Sequence, residues 1–104
     1  MNYWDREAEC ADREQIRSLQ SARLRETVCN AYNNVAAYKA KFDAIGLKPE
    51  DIKTVDDLHL IPFTTKVDFR DNYPFGMFAV PMSQVVRIHA SSGTTGKSTV
   101  VGYT

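Results

Sequence analysis

Two β-branched runs, Val85-Val86-Arg87-Ile88-His89-Ala90 and Thr99-Val100-Val101-Gly102-Tyr103-Thr104, flank a stretch of small polar residues, Ser91-Ser92-Gly93-Thr94-Thr95-Gly96-Lys97. β-Branched side chains fit a pleated surface, and two such runs around a glycine-bearing segment predict a strand–loop–strand. Two or three strands make a poor sheet by themselves. These strands therefore require neighbours, and the chain reads as the beginning of a larger protein that stops inside a strand-like run.

The preceding residues carry a different pattern. Asp12-Arg13-Glu14-Gln15 has the form of a capped helix start, with Asp12 as cap and Gln15 reaching back. Ile16, Leu19, Leu24, Val28 and Ala31 follow on one stripe, which predicts a helix with one buried face ending near Asn33-Asn34. Arg13, Arg17, Arg23 and Arg25 are interleaved with acids and read as its solvated side. Tyr38, Phe42 and Ile45 predict a second, shorter helix. Gly46 ends it in a left-handed residue with Leu47 packing back, and Pro49 forbids continuation. Thr54-Val55-Asp56-Asp57 and Thr65-Lys66-Val67-Asp68 each place an acid three residues after a threonine, predicting short helices at 55–59 and 66–72. The apolar turn Leu60-Ile61-Pro62-Phe63 is expected to pack on the first helices, and Met77–Val80 to be a short extended piece. The fold class expected is α+β: residues 1–76 mainly helical, residues 77–104 strand–loop–strand.

Composition narrows the partners. Lys plus Arg equals Asp plus Glu at 13 each among 104 residues, so no net field draws the chain to nucleic acid or to an anionic membrane. No apolar run is long enough to span a bilayer. The first seven residues lack the apolar core of a signal peptide. Cys10 and Cys29 are separated by too much helix for a disulfide and read as unpaired thiols of a cytoplasmic protein. Neither has a metal-ligand neighbourhood, and no residue of the chain is read as a metal ligand.

The loop from Ser91 to Lys97 carries the chemistry. Glycine permits close backbone approach to an anion, exposed N–H groups make a concave nest, hydroxyls donate, and an ammonium balances charge. Together they suit a nucleotide's phosphates. A Walker A reading of Gly96-Lys97-Ser98 fails twice. It needs glycine at position 91, which is serine, and a helix directly after the lysine, where Thr99, Val100 and Val101 stand. The alternatives kept open are a P-loop-like ATPase or phosphotransferase fragment and a non-enzymatic helical interaction module with a merely polar hairpin loop. His89 reads as a packed histidine rather than a site residue, and His59 as a surface residue at a helix C-terminus. Trp4, Tyr73, Phe75 and Phe78 read as core aromatics in preference to an acid pocket.

The stretch Ser91–Lys97 resembles the signature phosphate loop of adenylate-forming enzymes, the acyl-CoA synthetases and their relatives. With Tyr3-Trp4-Asp5, Pro62-Phe63-Thr64-Thr65-Lys66, Asp71-Asn72-Tyr73-Pro74-Phe75-Gly76 and Arg87-Ile88-His89-Ala90, it resembles in particular the phenylacetate–CoA ligases. The resemblance spans nearly the whole chain. It departs at Ser98, where the family usually has proline, and at Ala36, where it often does.

The resemblance implies that residues 1–104 form the N-terminal part of an AMP-binding (adenylation) domain, the start of a larger α/β domain. It implies that ATP and an aromatic carboxylic acid give an acyl-adenylate and pyrophosphate, and that coenzyme A then displaces AMP. Ser91, Ser92, Gly93, Thr94, Thr95, Gly96 and Lys97 would bind the β- and γ-phosphates. Lys97, the one residue implied to be catalytic, would neutralise the leaving pyrophosphate, and Mg²⁺ would bridge phosphate oxygens. The adenine, acid and coenzyme A pockets would lie beyond Thr104, in the remainder of a ligase that is homodimeric when intact. The present chain alone would be inactive.

Overall fold

The computed structural model describes residues 2–93 and 96–104. Four α-helices come first: α1 (Arg6–Glu9), α2 (Arg13–Asn34), α3 (Ala36–Ala44) and α4 (Lys66–Asp71). Short 3₁₀ turns at Pro49–Asp51 and Val55–Leu60 lie between α3 and α4, and a third, Met82–Gln84, leads to the strands β1 (Arg87–Ala90) and β2 (Val100–Tyr103). The α+β class and the order of elements follow the sequence expectation. The segment at 55–60 is 3₁₀, and α1 was not anticipated.

Helix boundaries are set by side chains that bond backbone. Gln15 N–H donates to Asp12 Oδ1 (2.8 Å) and Asp12 N–H to Gln15 Oε1 (3.0 Å), satisfying two of the amides a helix start leaves unpaired. α3 ends in a Schellman arrangement: Leu47 N–H donates to Phe42 O (2.9 Å), Gly46 N–H donates to Asp43 O (3.2 Å), and Gly46 has φ +68°. Only glycine adopts that φ without cost. Leu47 returns onto Phe42, and both join Val28 and Ile52 in the buried cluster, with Leu24, Tyr32 and Ile61 packed against it. Ile45 does not join them; as the C-cap residue it has left the helical path that would carry it to the Tyr38–Phe42 face, and it is exposed.

The α2 stripe is shorter than its periodicity suggests. Val28 and Ser21 are buried, whereas Leu19 is exposed, because the segments that cover α2 are α3 and the two 3₁₀ turns after it. Ser21 Oγ accepts from Val55 N–H (3.1 Å). Two arginines on the face read as solvated reach the same region: Arg17 pairs with Asp56, and Arg25 Nη1 donates to Lys53 O (2.6 Å). At the apolar turn Ile61 packs inward, but Phe63 is 90% exposed, and Trp4 is fully exposed rather than core. Residues 77–80 form turn and bend, not an extended piece. Gly76 N–H donates to Asn72 O and Phe78 N–H to Phe75 O, so amides that a strand ladder would use serve successive turns.

β1 and β2 pair antiparallel, Arg87 opposite Tyr103 and Ala90 opposite Val100. One face receives the Phe78 ring. A Cβ at Gly102 would lie 2.6 Å from that ring, so β2 accepts the aromatic because it has no side chain there. All four β1 residues are exposed. The radius of gyration is 16.7 Å, against about 13 Å for a compact domain of this length. The small helical core and the sheet thus do not close into one globule, in keeping with strands that need neighbours.

Ile52, 1% exposed, is the most buried side chain of the cluster. Ile52→Ala is expected to lower urea-denaturation stability by about 2–5 kcal/mol. The caps add an acid dependence. Asp57 is held below the ordinary carboxylate range first by the Lys53 N–H and then by the Thr54 N–H. Asp68 is lowered by the Thr65 N–H and then by Lys41. Because both folded values lie below the unfolded ones, their contribution is complete above the unfolded carboxylate value of about 4 and drains as pH falls through the folded values. Urea midpoints should therefore stay level from neutral pH to about 5 and fall below about 4, with a shallower fall in Asp57→Asn.

Candidate functional site

The loop between β1 and β2 is closed at its base by Ser91 and Thr99. Ser91 N–H donates to Thr99 O (2.9 Å), and Thr99 N–H donates to Ser91 Oγ (2.8 Å). Ser91 is thus a clamp as well as a loop residue. Inside the loop, Gly93 has φ +66° and Gly96 φ +137°, conformations that glycine alone takes readily. Gly96 N–H donates to Gly93 O (3.2 Å). That amide, expected to face phosphate, is engaged in a turn. Thr94 and Thr95, also expected phosphate ligands, lie outside the described residues.

Ser91, Ser92, Gly93, Lys97 and Thr99 form one wall of an open cleft of about 470 Å³. The opposite wall is Thr64, Thr65, Lys66, Phe69 and Arg70, from the start of α4 and the residues before it. The cleft therefore brings hydroxyl groups of five residues together with two lysines and an arginine. Such a set donates hydrogen bonds and offers positive charge, the requirements of a polyphosphate. The α4 wall was missed as a site in the sequence because it depends on contact between segments some 25 residues apart. Its only sequence trace was the Pro62–Lys66 stretch that carried the family resemblance. Among the described residues no group of three His, Cys, Asp or Glu gathers to hold a metal.

Lys97 is exposed, lines the cleft, and has its Nζ 5.7 Å from the centroid of the Tyr73 ring. β2, not a helix, follows at Val100, which removes the Walker geometry. His89 is exposed and meets the Tyr103 ring edge-on at 5.1 Å; it is not among the cleft residues. The aromatics considered as core are only partly so: Phe75 and Phe78 contact at 5.3 Å, while Tyr73 and Phe75 are exposed. His59 is exposed, its Nδ1 2.8 Å from Asp56 O. Cys10 and Cys29 are free and exposed. Among the described residues no helix is long and apolar enough to cross a membrane.

No family model matches the sequence. Curated relatives do. Over 96 residues the chain is 59% identical to the phenylacetate–coenzyme A ligase of Escherichia coli (strain K12) and 58% identical to that of Aromatoleum evansii, in both cases across 92% of its own length. It is 52% identical over 98 residues to the same ligase of Thermus thermophilus. The chain is similar to the phenylacetate–coenzyme A ligases. It spans about 22% of the length of each of these ligases.

Solved structures agree on the architecture. A 2-hydroxyisobutyryl-CoA ligase in complex with 2-HIB-AMP and CoA superposes on 96% of the chain with a TM-score of 0.86 at 28% identity. An open conformation of that ligase gives 0.84 at 25%. The chain covers 22% and 24% of the ligase chain in those two structures. The helices and antiparallel strand pair match the N-terminal part of an adenylate-forming CoA ligase.

Gly93 should be the least replaceable loop residue. An added Cβ would meet Ser98 Oγ at 2.8 Å and Gly96 O at 2.9 Å, at a φ that side chains disfavour. Gly93→Ala is expected to shift the Gly96 and Ser98 amide resonances while leaving the helical circular dichroism of the chain unchanged.

Proposed function

We propose that this chain supplies the polyphosphate-gripping part of an adenylate-forming aryl-acid–CoA ligase. The reaction joins phenylacetate, ATP and coenzyme A to give phenylacetyl-CoA, AMP and pyrophosphate. One observation carries the reading: the glycine–hydroxyl loop faces the Thr64–Arg70 wall across a cleft lined by cations. The similarity to phenylacetate–coenzyme A ligases supports the choice of acid.

In the first step a carboxylate oxygen attacks the α-phosphorus of ATP and pyrophosphate leaves. Two anions must meet, so positioning and neutralisation of charge are what the protein must supply. The Ser92 hydroxyl and the Gly93 amide donate to the β- and γ-phosphate oxygens, and Thr94 and Thr95 serve the same oxygens. Lys97 carries the catalytic role: its ammonium offsets the charge that builds on the leaving pyrophosphate. Lys66 and Arg70 meet the same phosphates from the other side. The Gly96 amide joins only if its turn bond to Gly93 O is exchanged for phosphate. Mg²⁺ would arrive with the nucleotide and would supply further neutralisation of phosphate charge. The acid, adenine and coenzyme A are bound by the rest of a ligase, which is homodimeric and acts in the cytoplasm.

Acid-dependent exchange of labelled pyrophosphate into ATP tests the reading. The 104-residue chain alone is expected to form no AMP. Substituted for the corresponding 96 residues of the Escherichia coli ligase, it is expected to support exchange that requires phenylacetate. Lys97→Ala in that chimera should lower exchange by roughly 100-fold, and Lys97→Arg should recover part of it. A chimera that folds and exchanges equally well with and without Lys97 removes the proposal.

A further inference from the structure

Tyr73 lies outside the cleft lining, yet its ring is the partner of the Lys97 ammonium at 5.7 Å, within the range where a cation is attracted to an aromatic face. The tyrosine is held by the turn that ends α4. Its N–H donates to Arg70 O (3.3 Å), Asn72 Nδ2 donates to Asp68 O (2.8 Å), and Gly76 N–H donates to Asn72 O (2.8 Å). A Cβ at Gly76 would lie 2.7 Å from Asn72 O, so the turn closes tightly because position 76 has no side chain. The ring that meets Lys97 therefore belongs to the same segment as the Lys66–Arg70 wall.

A lysine side chain has four rotatable methylenes and loses much rotamer freedom when fixed. On an exposed loop it would sample many directions, few of them over the cleft.

We propose that Tyr73 is a positioning residue for Lys97: its ring face keeps the ammonium at the cleft, so that a polyphosphate meets a cation already in place. The proposal rests on the reading of the cleft as a polyphosphate site. Tyr73 itself touches no phosphate. Its contribution passes entirely through Lys97, and that dependence separates it from a residue that merely stabilises the fold.

The probe is inorganic tripolyphosphate titrated calorimetrically into the full 104-residue chain. Lys97→Met is expected to weaken binding about tenfold and Tyr73→Leu about threefold, with Tyr73→Phe close to wild type because phenylalanine keeps the ring face. In the Lys97→Met background, Tyr73→Leu should have no further effect. The wild-type Lys97 ε-methylene protons should also resonate upfield of those of the other lysines, and return to ordinary positions in Tyr73→Leu; this readout needs no ligand.

Three results overturn the proposal. They are a Tyr73→Leu loss that persists undiminished without Lys97, no Tyr73→Leu loss in a chain that Lys97→Met does weaken, and Lys97 resonances without a ring shift. All three leave the polyphosphate reading standing. A wild-type chain that takes up no tripolyphosphate removes that reading, and the role of Tyr73 with it.

Discussion

Ser91 and Thr99 exchange two hydrogen bonds at the neck of the loop, one through backbone and one through the serine hydroxyl. Everything proposed for the loop depends on that closure. A flexible segment of this length ordinarily samples many conformations, and fixing its ends removes most of them at modest entropic cost. The strands β1 and β2 extend the same pairing for four residues on each side. Within the neck, glycines at positive φ let the chain reverse without strain, so the donors of Ser92 and Gly93 can face the cleft instead of pairing across a ladder.

The helical half serves the loop at one remove. α2 and α3 build the small core, and Ser21, Arg17 and Arg25 tether the segment around residues 53–56 to α2. From that segment the chain reaches Thr64 and α4, the wall that faces the loop. Each junction is fixed by a local device: a capping box, a Schellman reversal, a carboxylate on a pair of amides. Stability is thus distributed over short-range bonds more than over burial, as expected where few side chains are buried and the molecule is extended. The apolar residues left in solvent, Trp4, Phe63 and Val86 among them, mark where such a structure is unfinished as a globule.

Much of this was legible in the residues. Asp12 with Gln15, and Gly46 with Leu47, signal helix ends by chemistry that acts within four or five positions, and both behave as read. The strand pair around the loop was legible for the same reason. Periodicity was a weaker guide. It placed Leu19 and Ile45 inside, because a stripe shows which residues share a face and not how far a partner extends along it. α1 has a readable sign in Asp5, whose carboxylate accepts from Ala8 N–H (3.1 Å), but it buries no residue and so leaves no apolar stripe. The cleft was half legible: its loop wall is a contiguous motif, whereas Lys66 and Arg70 reach it through the path of the chain.

The contact between Phe78 and Gly102 has a geometric consequence. Where two layers normally stand a full side chain apart, here an aromatic disc rests directly on strand backbone. The hairpin is thereby seated low on the Met77–Val80 turn, which leads back to Tyr73 and α4. One benzene ring against bare main chain sets the spacing between the turn and β2, and a single methyl at position 102 would act as a shim between them.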